Sequence, residues 1–324
     1  MNRDLVKGIL FVTGGAASYG VLATIVRLAY NEGYTTAEAT VSQYTIGLLV
    51  MGLLLLFSRG KQPPHAGKQT PLQAGKQPDE RSLILRLVTG GTAYGLTGVC
   101  YYMSVRYLPV SICVILLMQT IWMGIVLDAF LEKKMPPPDK IIAVLIVLAG
   151  TLLATNAIGS PAKPDLRGVG WGLAAALTYT ISLLVANRVA TEMPARKKSF
   201  WILTGGTAVV LLFVLLQTAF ASPVSDTQTA SGFQFSIFMK WGLLLALFGT
   251  VLPPLLLNLG MPRAGMGLGS ILISIEIPVS VSSAWLLLDE QVLIMQWTGI
   301  VLIIAAIILL NFRTLRQELT LLTD

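Results

Sequence analysis

Long uninterrupted runs of apolar residues recur along the whole sequence, and one of them, IVLIIAAIILL, covers residues 300–310. About twenty mostly apolar residues cross a bilayer as a helix, because each residue rises about 1.5 Å through roughly 30 Å of hydrocarbon. The bulk composition agrees, since 54% of the 324 residues are hydrophobic, 12% are charged and the mean hydropathy is +0.74. The sequence therefore predicts an all-α membrane protein that crosses the bilayer many times.

Polar segments and Pro or Gly residues divide the apolar sequence into ten predicted transmembrane helices. The predicted ranges are 5–28, 37–57, 83–106, 110–131, 140–157, 168–190, 199–220, 236–259, 266–287 and 292–312. The 23 Lys and Arg residues are divided unevenly between the two sides, with 18 on the side of the termini and five on the other. Because basic residues favour the cytoplasm, both termini are predicted to be cytoplasmic, in an inner or plasma membrane of the cell.

The residue types do not favour an enzyme, a metal site or a nucleic-acid partner. The one histidine, His65, lies in a cytoplasmic linker at 58–82 that is predicted to be disordered, and Cys100 and Cys113 fall in apolar helices without zinc spacing. The net charge of +7 comes from basic residues in the loops, where the bilayer surface explains them. The sequence therefore predicts no catalytic residue, no metal and no cofactor.

The two halves of the chain are similar in sequence. The matching segments are 16–30 with 176–190, at an offset of 160, and 118–132 with 276–290, at an offset of 158. Each half contains five predicted spans, and because five is odd the second half enters the membrane upside down relative to the first. Inverted repeats commonly form transporters whose substrate site lies near the midplane, where the halves meet. The predicted repeats are residues 1–157 and 158–324.

The second half ends with a specific pattern: Glu276-Ile277-Pro278, then SAWLLLDE at 283–290, then MQWTGIVLIIAAIILL at 295–310. This pattern resembles the E-x-P…E…QW-x-G ending of proteins with two EamA domains, within the drug/metabolite transporter superfamily. The first half departs from it, since Met-Gln-Thr at 118–120 stands where Glu-x-Pro would be. The resemblance implies ten helices in two inverted five-helix repeats, and export of amino acids, other metabolites or drugs.

Ten residues are candidates for a substrate-binding cavity because they are polar or aromatic and lie within predicted spans. They are Tyr19, Gln43, Tyr94, Tyr101, Gln119, Trp122, Tyr179, Asn258, Glu276 and Ser280. Each alone is more often an interhelical hydrogen-bonding group or an interfacial aromatic residue. Because they converge from opposite halves, together they predict a polar cavity with an aromatic lining.

Glu276 is the most unusual of these residues, because a charged side chain at mid-membrane costs at least about 2.5–3.5 kcal/mol. It shares a helical face with Ser280 and Ser283, and Pro278 is expected to leave the carbonyl of Ser274 without its normal helical partner, the amide four residues later. Two roles remain open for Glu276. It is either a cation contact or proton-coupling group, or a protonated or hydrogen-bonded residue that supports the bend at the proline.

Pairs of glycines four residues apart predict close helix packing. The pairs are Gly91 with Gly95, Gly168 with Gly172, and Gly265 with Gly269. Helices that must move against one another also need smooth contacts, so packing and motion are compatible.

These observations predict a secondary transporter that exports small metabolites such as amino acids, by alternating access through a central cavity between the repeats. A multidrug or aromatic-compound exporter and an uncoupled facilitator are the alternatives within this class. An integral-membrane enzyme would need clustered catalytic groups, and a lipid scramblase a polar groove open to lipid, and neither is indicated by the sequence. The expected partners are a small-molecule substrate, the lipid bilayer and coupling protons, and the protein is expected to act as a monomer or a homodimer.

Overall fold

A computed structural model describes residues 3–57, 80–155, 164–190, 193–219 and 233–323. Within these ranges the chain is all-helical, as predicted, and contains no strand. Most of the predicted cytoplasmic linker lies outside the described residues. Its last three positions belong to the third helix, which begins at Glu80 and so starts three residues earlier than expected.

The described residues form ten membrane-spanning segments, α1 to α10, and α4 and α9 are each broken into halves a and b. The segments are α1 Arg3–Asn31, α2 Thr36–Phe57, α3 Glu80–Tyr107, α4a Val110–Leu117, α4b Thr120–Glu132, α5 Pro138–Ala154, α6 Leu166–Arg188, α7 Ala195–Ala219, α8 Phe238–Ala264, α9a Met266–Ile273, α9b Glu276–Leu288 and α10 Ile294–Thr323. Nine of these segments are long enough and apolar enough to cross a membrane. The remaining one, α5, has 17 residues, near the lower limit for a spanning helix.

The second repeat is inverted relative to the first. Gly8, in the first turns of α1, packs on Ala264 at the end of α8, whereas Gly168, at the start of α6, packs on Leu108 just after α3. Arg27, near the end of α1, donates to the Leu108 carbonyl at 2.8 Å, so α1 ends where α6 begins. The equivalent helices α1 and α6 therefore run in opposite directions. We call the end of the bundle with the first turn of α1 the N-terminal side, and the other end the opposite side.

The broken helices α4 and α9 define the register between the repeats. Their a halves both have eight residues and their b halves both have thirteen, and each ends in a left-handed residue, Lys133 at φ 50° and Asp289 at φ 53°. The structural offset is therefore 156 residues, and the offset of 158 predicted from the sequence is wrong here. Thr120, and not Met118, occupies the position of Glu276 in the first repeat. The sequence pairing matched the glutamates that end the two segments, whereas the structure matches the positions of the breaks.

The helices α5 and α10 pack against each other through small residues related by the same offset. Gly150 lies against the carbonyl of Gly299, and the equivalent pair, Ala306 and Ala143, is buried in one cluster. Both contacts therefore obey the pseudo-two-fold relation between the repeats, which places its axis in the membrane plane.

Two of the predicted glycine pairs lie in close helix contacts, and the third is only partly of this kind. In the first pair, Gly91 and Gly95 meet the backbone of α7 at Ile202 and Gly206. In the third pair, Gly265 lies between α8 and α9a with φ +83°, a conformation that side chains other than glycine rarely adopt. It is a connecting residue and not a packing residue.

Candidate functional site

The breaks in α4 and α9 meet in the middle of the bundle. Ile115 and Met118, beside the first break, share a buried apolar cluster with Ile277 and Val281, beside the second. Helices that stop at mid-membrane expose side chains and backbone groups that a continuous helix would keep engaged, and transporters commonly place their sites there. The broken helices thus bring one half of each repeat to the centre of the protein.

Glu276 is the first residue of α9b, and its side chain is buried, with 8% of the residue exposed. Pro278, two residues later, has no backbone N–H. The carbonyl of Ser274 nevertheless finds a partner, because the amide of Ile277 donates to it at 3.1 Å. The carbonyl therefore loses its normal helical partner, as expected, and accepts from the residue before the proline instead. The hydrogen-bonded turn is shortened at this point, and the break leaves Glu276 at the start of a new helix.

A central cavity of about 60 Å³ lies beside Glu276, and six of the ten predicted residues line it. These six are Tyr19, Gln43, Tyr94, Tyr101, Tyr179 and Glu276. They come from α1, α2, α3, α6 and α9b, so both repeats contribute. A volume of this size holds a few water molecules or one small group of a larger solute. Within the described lining, Glu276 is the only acidic or basic side chain.

Gln119 and Trp122 are placed away from this cavity. The Gln119 amide donates to the hydroxyl of Thr151 at 2.7 Å, and the Trp122 indole donates to the Gln119 carbonyl oxygen at 2.8 Å. Gln119 therefore connects α4 to α5, and Trp122 packs against the cluster that contains Ala143 and Val147 of α5. The break at 118–119 explains this placement, because it puts Thr120 where the sequence pairing had expected Met118.

Asn258 and Ser280 also lie outside the central cavity. Asn258 lines a neighbouring cavity, together with Tyr19, Tyr94 and Tyr179. Ser280 is 1% exposed, and its hydroxyl has no hydrogen-bond partner among the described residues. The binding roles assigned to the ten residues remain predictions.

Two further tyrosines of the cavity were not predicted. The Tyr44 hydroxyl donates to the Tyr94 carbonyl at 2.8 Å, and Tyr102 donates to the side-chain oxygen of Gln43. Tyr44 can approach because Gly98 has no side chain: a Cβ there would collide with the Tyr44 ring and hydroxyl. Each missed tyrosine directly follows a predicted residue in sequence, so finding it required knowing how α2 and α3 are rotated.

The tyrosine lining also uses an irregularity in α8. This helix contains two π-helical segments, Phe238–Gly242 and Leu247–Val251, and such segments often occur at functional sites. Pro253 lacks the N–H that would bond to the carbonyl of Gly249, four residues earlier. The hydroxyl of Tyr94 donates to that carbonyl instead, at 3.4 Å. The proline thus frees a backbone acceptor, and a tyrosine of the cavity satisfies it.

A second cavity of about 230 Å³, which we call the vestibule, extends from the central cavity toward the N-terminal side. Tyr19, Tyr94 and Tyr179 border both cavities. The rest of its lining comes from the N-terminal-side halves of α2, α6, α7 and α8, and includes Ser199 and Asn258. Three tyrosines therefore separate the Glu276 cavity from a larger space on one side of the protein.

The opposite side is closed by packed side chains. The largest buried apolar cluster fills this half of the bundle and includes Val26, Val105 and Cys113, all fully buried. At its edge, the Glu290 carboxylate accepts hydrogen bonds from the amides of Val110, at 2.7 Å, and Ser111, at 3.1 Å, and from the Ser111 hydroxyl at 2.9 Å. Glu290 therefore caps α4a and joins it to the loop between α9 and α10.

A third cavity, of about 240 Å³, lies between α4b and α6 near the N-terminal side. Arg188 crosses it, pairing with Asp128 at 2.7 Å and with Glu132 at 3.6 Å. All three side chains are about half exposed, so water screens the pairs and they add little to stability. Asp128 and Glu132 both lie in the last two turns of α4b.

Ten helices in two inverted repeats, with broken helices around a buried polar cavity, define a membrane transporter. The chain belongs to the EamA-like transporter family, whose profile matches residues 6–156 and 166–312. One solved crystal structure of 15% sequence identity matches 96% of this chain and 98% of its own, with a TM-score of 0.58, which shows a shared fold. No curated protein is significantly similar in sequence.

Proposed function

We propose that the protein is a secondary transporter that exports small metabolites by alternating access through the central cavity. The observation that carries the proposal is the position of Glu276, a buried carboxylate at a mid-membrane helix break, in a cavity lined by tyrosines from both repeats. A buried ionisable group at such a place is expensive, and it is commonly kept for substrate or ion coupling.

The arrangement of cavities supports a direction and a cycle. In this conformation the vestibule reaches toward the N-terminal side, while the opposite side is closed by packing and by the cap that Glu290 provides. The excess of Lys and Arg in the segments of the N-terminal side supports the proposal that this side faces the cytoplasm, in a cell membrane. The vestibule would then receive substrate from the cytoplasm, as an exporter requires, with residues 1–157 and 158–324 as the two moving repeats.

Purified protein in vesicles with a panel of metabolites, amino acids and drugs, with and without a proton gradient, tests the proposal. We expect saturable movement of at least one compound class, faster with the gradient than without it. Movement of every compound at the rate of protein-free vesicles would contradict the proposal. A lipid-flipping measurement on the same vesicles separates a transporter from a scramblase, since a transporter leaves lipids at the protein-free rate.

Glu290→Gln is expected to loosen the closure of the opposite side. Glutamine loses the charge that the Val110 and Ser111 donors share, and hydrogen bonds to charged groups contribute about 1.5–3 kcal/mol. The reporter is Cys113, which is fully buried beneath this closure. In a Cys100→Ala background, labelling of Cys113 by a maleimide that does not cross membranes should be roughly tenfold faster in the variant.

The matched control is Asp289→Asn, which removes a negative charge one residue away from Glu290. Its Cys113 labelling rate should stay within about twofold of the parent, because it leaves the cap on α4a in place. Equal labelling of Cys113 in the parent and in Glu290→Gln would show that the cap does not hold the closure.

A further inference from the structure

We propose that the central cavity selects amines that carry no carboxylate, that is, organic monocations, over zwitterionic amino acids. This inference rests on the proposed transport function and names the substrate class of the same site. Amines are a narrower substrate class than small metabolites in general, and the charges of the described lining favour them.

The lining can neutralise a positive charge but not a negative one. Glu276 is its only carboxylate, and the described lining contains no Lys, Arg or His. The other titratable groups of the described lining are six tyrosines: Tyr19 from α1, Tyr44 from α2, Tyr94, Tyr101 and Tyr102 from α3, and Tyr179 from α6. The described lining of the vestibule is also free of charged side chains, so a substrate meets no cation between the vestibule and the cavity.

Four backbone positions at the start of α9b cannot replace a missing cation. A helix N-terminus binds anions through amides that have no partner of their own. Here the amides of Ile275, Ile277 and Val279 donate to carbonyls one turn earlier, at 3.1–3.2 Å, and Pro278 has no amide proton. The break therefore offers the carboxylate of an amino acid none of these four positions as a donor.

Several hydroxyls of the cavity are also directed away from a bound anion. The hydroxyls of Tyr44 and Tyr94 donate to backbone carbonyls, and the hydroxyl of Tyr102 donates to Gln43. The rings remain, and the face of an aromatic ring attracts an ammonium group within about 6 Å of its centre. A carboxylate with tyrosine rings around it is thus suited to an amine.

Two unfavourable contributions to the binding free energy would weaken the binding of a zwitterion in this site. Its carboxylate would be buried without a positive partner, which strongly disfavours binding. It would also lie near the carboxylate of Glu276, which repels it. The corresponding amine has the same side chain and the same ammonium group, and it avoids both costs.

Initial transport rates of matched pairs, each an amino acid and its decarboxylated amine, test the inference. Suitable pairs are phenylalanine with phenethylamine, tyrosine with tyramine, and histidine with histamine. In vesicles containing the full chain, we expect each transported pair to favour the amine at least tenfold. Equal rates, faster amino acids, or no amine transported at all would overturn the inference.

Two variants connect the selectivity to the site. Glu276→Gln should bring the ratio of amine to amino acid rates close to one, whereas Glu32→Gln, an exposed carboxylate beside Lys240 on the opposite side, should keep it. An unchanged ratio in Glu276→Gln would overturn the inference. If Glu276→Gln fails to fold, the wild-type pairs decide alone. Transport of amino acids or neutral metabolites with rejection of amines would refute the amine selectivity and leave the transport function standing, whereas no transport across the whole panel would refute the function itself.

Discussion

Glu276→Gln is expected to reduce proton-driven accumulation of substrate to the level of protein-free vesicles. Glutamine matches glutamate in size and can keep its neutral hydrogen bonds, but it cannot bind and release a proton. Because Glu276 is the only carboxylate in the described lining of the cavity, no neighbouring residue there can take over this role. The measurement is uptake into vesicles with an imposed pH difference, at matched protein content and after size-exclusion chromatography has shown a folded variant.

The control for this variant is another buried carboxylate of the described helices, Glu38, which is 3% exposed. Its Oε2 accepts from the amide and hydroxyl of Thr35, at 2.7 and 2.9 Å, and its Oε1 accepts from the amide of Gln234, so it caps α2 and lies outside the cavity lining. Glu38→Gln should lower stability and leave the response to the pH difference intact. Undiminished pH-driven accumulation in Glu276→Gln would remove Glu276 from coupling.

The Glu276→Gln variant also separates the two roles that the sequence left open for Glu276. If the carboxylate takes part in transport, Glu276→Gln loses accumulation while its melting temperature stays close to that of the parent. If the carboxylate only supports the bend at Pro278, the variant melts earlier and transports normally once folded. Downhill movement without a gradient then distinguishes coupling alone, which spares it, from substrate contact, which does not.

Much of the fold could be predicted from the sequence, because the membrane permits few solutions. Backbone groups in lipid must bond within their own helix, so apolar length alone locates the spans. The cavity residues Glu276, Gln43 and the predicted tyrosines were also recognisable, since polar groups at mid-span are costly and seldom lack a reason. Repeat similarity then indicated that these residues come from opposite halves and face one centre.

The remaining features depend on helix rotation, which the sequence alone does not encode. Gln119 seemed equivalent to a residue of the Glu-x-Pro motif, but the offset of 156 assigns that position to Thr120 and turns Gln119 toward Thr151. Tyr44 was missed because its access depends on Gly98, a contact between two helices. The π segments of α8 were also not predicted from the sequence.

Gly205→Ala is expected to be strongly destabilising, although alanine is the better helix former. Gly205 on α7 faces the backbone of α3, and an added Cβ would lie well inside 3 Å of the Val88 carbonyl oxygen. A helix backbone cannot move aside as a flexible side chain can, so α3 and α7 would have to separate along their length. Overpacking of this kind costs about 1–3 kcal/mol, and for a chain of this length a fall in melting temperature of roughly 2–5 °C should follow.

Gly170→Ala is the control, and we expect it to change the melting temperature in the opposite direction or not at all. Gly170 is an exposed glycine within α6, and no atom lies within 4 Å of the position that a Cβ would take. Alanine there gains the usual helix-propensity advantage of about 1 kcal/mol at no steric cost, so the melting temperature should stay level or rise.

Both variants are compared in the same detergent by thermal unfolding followed by size-exclusion chromatography. If Gly205→Ala melted like Gly170→Ala, then α3 and α7 would not be in backbone contact, and the close crossing between the two repeats beside the tyrosine-lined cavity would have to be abandoned.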